Sequence, residues 1–116
     1  DLHHVIERIG AGDWKDLLNA VYQGDLPLVR YHVEYGVDVN YQHPEFLTTP
    51  LIASIERGQH LITEYLLKHG ADPHLRAGFS TDTAFVVARK LKNVQALALL
   101  QPYRKSLWTR IRELLA

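Results

Sequence analysis

The chain contains seven histidines, which could serve as metal ligands or as acid–base groups. His3 and His4 are adjacent, so on a helix their side chains point about 100° apart and do not share one ion. His60, His69 and His74 show neither the H-x-x-x-H nor the H-x-x-E spacing that brings ligands together on a helix. We therefore predict that the chain needs no metal and no cofactor.

Residues suited to acid–base or nucleophilic catalysis are present but lack a supporting pattern. Asp72 and His74 could form an acid–base pair, yet a turn position explains each of them. Ser54, Ser80 and Ser106 lie outside any nucleophile-elbow context, and no glycine-rich phosphate loop follows a strand. Cysteine is absent, which excludes disulfides, thiolate chemistry and cysteine-ligated zinc. We predict that the chain is not an enzyme.

The composition is that of one ordinary globular domain. The 116 residues are 47% apolar and 22% charged, and thirteen basic side chains balance thirteen acidic ones. The charges are segregated, however, with nine acids and four bases in residues 1–58 and four acids and nine bases in residues 59–116. We expect one negative and one positive end. Without a signal pattern or an apolar run of about 18 residues, a cytoplasmic location is expected and a membrane partner is not.

The basic half of the chain raises nucleic acid as a further possible class of partner. Lys90, Lys92 and Arg104 lie near Tyr103 and Trp108, and such a mixture could grip a single strand. The net charge is zero, however, and no recognition motif is present. We therefore expect no nucleic-acid partner.

A repeated unit organises the elements that must position any functional residue. The segment "TPLIASIERGQHLITEYLLKHGADPH", residues 49–74, recurs 34 residues upstream, where Gly24 and Gly36 occupy the places of Gly58 and Gly70. A downstream copy is weaker, since a Lys-Asn pair replaces Gly-Gln and no Gly-Ala-Asp turn closes it. Three copies at one spacing predict a repeat architecture.

Each unit predicts two short antiparallel helices. In the middle copy Thr49 is suited to cap the first helix and Pro50 to occupy its first position. Gly58 ends this helix, and an apolar stripe then defines a second one. The stripe consists of Leu61, Ile62, Tyr65 and Leu66.

Glycine and aspartate define the predicted turns. Gly36 and Gly70 stand just past helix ends, where glycine takes the left-handed conformation at little cost. Asp72 is placed to accept backbone N–H bonds in its turn. Asp25 is placed to cap the second helix of the first copy.

This layout resembles the ankyrin repeat, and residues 49–74 match it best. The ankyrin pattern begins with T-P-L-H-x-A, continues with a glycine and then has an apolar helix that ends in G-A-D-V-N. The resemblance implies an all-α solenoid of stacked antiparallel helix pairs with short β-hairpin-like fingers. Ile52 replaces the usual histidine of the pattern, and the 34-residue spacing is one residue longer than usual. The repeats are expected at 14–47, at 48–81 and, in degenerate form, at 82–102.

Helices are expected at both ends, because a repeat cannot bury its apolar faces alone. Residues 1–13 are predicted to form an N-terminal capping helix. Residues 103–116 are predicted to form a C-terminal capping helix, with Ser106 as its N-cap. A second interpretation of the C-terminal helix stays open, since basic residues beside Trp108 would also suit a membrane surface or a partner. Capping is favoured because the stretch is short and the array needs a cover.

The resemblance implies function as well, because ankyrin arrays mostly bind proteins without activity of their own. We expect a monomeric, non-enzymatic interaction module for an unidentified protein partner. The alternatives are a segment that docks within a larger enzyme or effector, and membrane-surface association through the C-terminal helix. Phe46 and Phe79 are either folded back or left for a partner. The predicted binding residues are Tyr22, Gln23, Tyr41, Glu45, Phe46, Thr48, Glu56, Arg57, Arg76, Phe79, Ser80, Asp82 and Lys90. Leu91, which follows Lys90, lies on the same predicted surface.

Overall fold

The computed structural model describes residues 14–77 and 82–116. The predicted N-terminal capping helix, residues 1–13, lies outside these ranges. So do Phe79 and Ser80, the predicted binding residues at the tip of the second finger.

Helices make up the regular structure of the described residues, which contain no β-strand, and the predicted all-α solenoid is confirmed. Three helix pairs are followed by a 3₁₀ turn, Gln101–Tyr103, and a last helix. The α-helices are α1 Trp14–Gln23, α2 Leu26–Glu34, α3 Pro50–Glu56, α4 His60–Lys68, α5 Ala84–Lys90, α6 Val94–Leu100 and α7 Leu107–Leu115.

The pairs stack in chain order. The first helices α1, α3 and α5 pack side by side in one row, and the second helices α2, α4 and α6 pack in another. Large apolar side chains fill the space between the rows, among them Leu17, Ile55, Leu66 and Leu100, all buried. Each pair therefore buries its apolar faces against its neighbours, as expected of a repeat array.

Side-chain caps begin most of these helices. Thr49 Oγ1 accepts the backbone N–H of Ile52 at 3.1 Å and Pro50 follows it, as predicted. Asp25 Oδ1 accepts the N–H of Leu28 at 3.1 Å, which confirms its predicted role. Such caps satisfy N–H groups that have no partner inside the helix.

The buried face of α4 differs from the predicted apolar stripe at several positions. Leu61 is 70% exposed, whereas Thr63 and Leu67 are buried with Ile62 and Leu66. Thr63 can occupy a core position because its hydroxyl lies 2.7 Å from the buried hydroxyl of Ser54 and also bonds to a backbone carbonyl. The buried face of α4 therefore includes a satisfied polar side chain and excludes Leu61.

The turns follow the prediction closely. Gly36 has φ +102° and Gly70 has φ +94°, both in the region that favours glycine. Asp72 Oδ1 accepts the backbone N–H of His74 at 2.8 Å. In the degenerate third repeat Lys92 takes the same kind of conformation at φ +55°, at the place of Gly58. The turn therefore persists where its glycine has been lost.

The last helix does not bury its apolar residues. Ser106 caps α7 as predicted, with its Oγ accepting the N–H of Thr109 at 3.1 Å, but no residue of α7 is buried. The expected cover over the last repeat is therefore not formed by these side chains. The 3₁₀ turn at Pro102 and the extended backbone at Arg104 separate α7 from α6, and Val94 of α6 stays exposed.

Candidate partner-binding surface

The carboxyl ends of the first helices form the centre of the predicted surface. Because α1 packs on α3, residues one repeat apart become neighbours. The Arg57 guanidinium lies 4.7 Å from the centre of the Tyr22 ring, a cation–π contact between the first two repeats. Gln23 and Glu56 are exposed next to this pair in the sequence. The structure brings these four predicted residues into one row.

The third repeat extends the row with an ion pair and an apolar side chain. Lys90 Nζ donates a hydrogen bond to Asp82 Oδ2 at 2.8 Å, which joins the base of the second finger to α5. Such an exposed pair adds little to stability but holds both side chains in place. Arg57 and the exposed Leu91 help to line an open groove of about 600 Å³ between the second and third repeats.

An aromatic cluster answers the question left open for Phe46. The Phe46 ring folds back to 5.8 Å from Trp14, and the His43 ring stacks on Trp14 at 5.5 Å. Tyr41 meets Trp14 edge-on at 6.2 Å. Phe46 remains 38% exposed, and Lys15 Nζ lies 5.5 Å from its ring centre. The first finger is therefore anchored on α1 and still presents an aromatic surface.

Sequence reasoning did not identify Trp14 and His43 as the support of this finger. The available signal was a tryptophan at the start of the first helix combined with three aromatic or imidazole rings in the segment "YQHPEF". Leu47, at the end of the same finger, is exposed and was also missed.

The other predicted finger residues are more dispersed. Glu45 and Arg76 are exposed, one on each finger. Thr48 is half-buried, and its Oγ1 donates a hydrogen bond to the carbonyl of Thr49 at 3.3 Å. Glu45 and Arg76 are therefore open to a partner, whereas Thr48 belongs in part to the base of its finger.

Hydrogen bonds between the repeats fix the fingers relative to one another. Asn40 Nδ2 donates to the carbonyl of Gly70 at 2.8 Å, and Asn40 Oδ1 accepts the N–H of Asp72 at 2.8 Å. Gln42 Nε2 donates to the carbonyl of Arg76 at 2.6 Å. These amide side chains, which sequence reasoning did not single out, join the first finger to the second.

The geometry offers no acid–base site among the predicted residues. Asp72 bonds to the backbone of His74, whereas the ring Nε2 of His74 lies 3.1 Å from the carbonyl oxygen of Tyr103. Burial, and to a lesser extent the carboxylate of Glu34, raises the pKa of Tyr65, which moves it away from physiological pH. Within the described ranges no three His, Cys, Asp or Glu side chains are grouped to hold a metal ion.

Comparison with known families decides what kind of array this is. Residues 17–109 match the family described as ankyrin repeats, in three copies. The chain belongs to the ankyrin-repeat family. The ankyrin repeat is a non-catalytic interaction fold, and this ankyrin array is a protein–protein interaction module.

Segments of several larger proteins are similar to this array. The array is 40% identical over 68 residues to palmitoyltransferase AKR1 of Lachancea kluyveri, covering 59% of the chain and 8% of that protein. It is 43% identical over 60 residues to human 2-5A-dependent ribonuclease, covering 52% of the chain and 8% of that protein. It is 34% identical over 103 residues to phosphocholine transferase AnkX of Legionella pneumophila, covering 78% of the chain and 10% of that protein. The chain thus spans about a tenth of the length of these relatives or less.

No helix within residues 14–77 and 82–116 is both long enough and apolar enough to span a bilayer.

Proposed function

We propose that this ankyrin array binds a protein partner through its finger–helix surface and has no catalytic activity of its own. The finger–helix surface comprises the carboxyl ends of α1, α3 and α5 and the two fingers. Its apolar and aromatic members are Tyr22, Phe46, Leu47 and Leu91, and Arg57 stacks on Tyr22. We further expect the module to be monomeric and cytoplasmic, and its cysteine-free composition fits a reducing compartment.

The observation that carries this proposal is the contact of the exposed Arg57 with the half-buried Tyr22 ring, which joins the first two repeats, together with the exposed Lys90 at the same position of the third repeat as Tyr22. A partner that meets this row contacts three helices at once. The Asn40 bonds to Gly70 and Asp72 hold the first finger on the second repeat, so little ordering is required on binding.

The chemistry of the surface indicates how a partner is held. Aromatic side chains often supply most of the binding free energy at an interface, which favours Tyr22 and Phe46 as anchors. Glu45 and Glu56 lie in the acidic half of the chain and Lys90 in the basic half. A partner with the complementary charge gradient should associate faster at low salt than at high salt.

The test begins with affinity capture from the native source and identification of bound proteins by mass spectrometry. A purified candidate is then titrated calorimetrically against the array and against the double variant Tyr22→Ala with Phe46→Ala. The variant should weaken binding by about 2 kcal/mol or more. Its circular dichroism and melting temperature must be recorded, because Phe46 also contacts Trp14.

The matched control is Tyr31→Ala with Leu61→Ala, which removes one aromatic and one aliphatic side chain exposed on the second helices. This control should leave binding within about 0.5 kcal/mol of the parent. The proposal fails if the control weakens binding as much as Tyr22→Ala with Phe46→Ala, or if a folded double variant binds normally.

A second candidate function comes from the relatives. Their names describe two transferases and a ribonuclease, and the matched segment is about a tenth of each. The array would then dock within a larger enzyme or effector. In that case a catalytic domain from the same full-length protein, added as a separate chain, should bind the array and lose affinity with Tyr22→Ala and Phe46→Ala.

A further inference from the structure

The helix α7 has an unpartnered apolar face. Leu107 is 68% exposed, Trp108 75%, Leu114 85% and Leu115 83%, although α7 is an ordered helix with a side-chain cap at Ser106. A cleft lies between the helix and the repeats, and Arg110, Glu113 and Leu114 line it on the side of α7. His74, Phe85 and Arg89 line the opposite side.

The order of side chains around α7 is strongly amphipathic. At about 100° per residue, the apolar side chains occupy an arc of about 120°. Arg110 and Arg112 stand at the two edges of this arc, and Thr109 and Glu113 lie opposite it. The members of the apolar arc, in order around the helix, are Leu114, Leu107, Ile111, Leu115 and Trp108.

The surrounding charge is strongly positive. Residues 82–116 contain seven lysines and arginines but only two acids, Asp82 and Glu113. Both acids are engaged by lysines, Asp82 by Lys90 at 2.8 Å and Glu113 by Lys105 at 2.9 Å. Within the described part of the chain, five basic side chains of this segment have no carboxylate within 4.0 Å. They are Arg89, Lys92, Arg104, Arg110 and Arg112.

We propose that α7 docks this end of the array onto an anionic phospholipid surface. The apolar arc would enter the boundary between headgroups and acyl chains, with Trp108 at the level of the headgroups. Arg110 and Arg112 would bury their aliphatic stems beside the arc while their guanidinium groups reach lipid phosphates. Arg104, which precedes the helix, would add to the attraction.

A lipid surface fits these features better than a protein groove does. The two arginines flank the apolar arc on both sides, so one flat anionic plane can meet both while the arc enters it. The expectation against a membrane partner rested on the lack of an apolar run of about 18 residues and on capping as the favoured role of the C-terminal helix. The structure leaves α7 exposed and places it in the most basic segment.

The binding test uses the intact chain and two kinds of vesicle, phosphatidylcholine alone and phosphatidylcholine with 30% phosphatidylserine. Co-sedimentation with the anionic vesicles is expected, with release as salt rises. The two tryptophans allow a second readout, because Trp14 is buried and Trp108 is exposed. A blue shift of emission on anionic vesicles, absent from Trp108→Phe, would place Trp108 in the lipid.

Two pairs of matched variants separate the apolar and the charged contributions. Leu107→Glu with Leu115→Glu should weaken partitioning by about tenfold or more. Its control, Leu61→Glu with Val94→Glu, adds the same charge at other exposed positions and should retain most of the binding. Arg110→Gln with Arg112→Gln should weaken binding by about 25-fold, which corresponds to about 1 kcal/mol per basic residue. Arg30→Gln with Lys68→Gln is its control.

Three results would overturn the proposal. The first is absence of binding to anionic vesicles, or equal binding to neutral ones. The second is equal loss in the α7 variants and their controls, which would indicate a general charge effect. The third is a dimer in sedimentation velocity that Leu107→Glu with Leu115→Glu abolishes, without vesicle binding, because the apolar arc would then serve a second copy of the chain.

Discussion

The contact between the first two repeats and the helix α7 are both amphipathic, but they treat apolar side chains in opposite ways. At the repeat contact, Leu51 and Leu66 are buried and Asn40 bonds to two backbone groups of the neighbouring repeat. In α7 no residue is buried, and the Ser106 cap and a surface ion pair between Lys105 and Glu113 join it to the preceding segment.

The difference shows which part of the chain supplies stability and which part is available for contacts. Burial of apolar area provides most of the favourable free energy of folding, and satisfied side-chain bonds make it specific. The repeats have both, so they form a rigid platform for the finger–helix surface. Local opening should be easy in α7, where burial is absent.

The largest expected effect comes from removing a buried side chain on the platform. Leu66→Ala should lower the free energy of unfolding by about 2–5 kcal/mol, because Leu66 is fully buried. The same truncation at Leu115, which is exposed, should change it by less than about 0.5 kcal/mol. Urea unfolding followed by circular dichroism measures both, and equal effects would contradict the distinction.

Much of the repeat platform could be predicted from the sequence. Thr49, Asp25, Gly36 and Gly70 were assigned correctly, because caps and left-handed turns depend on chemistry within a few residues. The burial of Thr63 could not be predicted from apolar periodicity. It depends on the Ser54 hydroxyl, which belongs to another helix.

The candidate site was less predictable for the same reason. Repeat spacing aligned Tyr22 with Glu56 and Lys90, but the contacts of Phe46 with Trp14 and of Asn40 with Gly70 join distant segments. The exposure of α7 was likewise not evident, because an amphipathic helix has the same pattern whether it covers a core or meets another surface.

The second-largest effect is expected from removing the hydrogen bonds that Asn40 makes between the two fingers. Asn40→Ala should destabilise the array by about 1–3 kcal/mol, since it leaves the Gly70 carbonyl and the Asp72 N–H without this partner. Asn19→Ala, at an exposed position of α1, is the control and should be neutral or slightly stabilising. If Asn40→Ala unfolds at the same urea concentration as the parent, the two bonds contribute nothing to the platform.

A smaller effect is expected at the turns. Gly70→Ala places a side chain at φ +94° and should destabilise by about 1 kcal/mol. Lys92→Gly should have the opposite sign and stabilise by up to about 1 kcal/mol, because Lys92 already occupies the left-handed region. Thermal melting measures both effects. If the two melting temperatures shifted in the same direction, the assignment of Gly70 and Lys92 to the left-handed region would be contradicted.

The smallest effect is expected in α7. Glu113→Gln removes the ion pair with Lys105, in which both side chains are substantially exposed, and should cost less than about 1 kcal/mol. The loss should shrink further as salt is raised. A loss of several kcal/mol in chemical denaturation would show that α7 is part of the folded core after all.

Hydrogen exchange resolved along the intact chain compares the platform with α7 most directly. Amides of α4, around the buried Leu66 and Leu67, should exchange only through global unfolding, with protection of at least about a thousandfold. Amides of α7 should exchange through local opening, much faster than those of α4, in the absence of vesicles. Equal protection in α4 and α7 would contradict the separation of a stable platform from an available terminal helix.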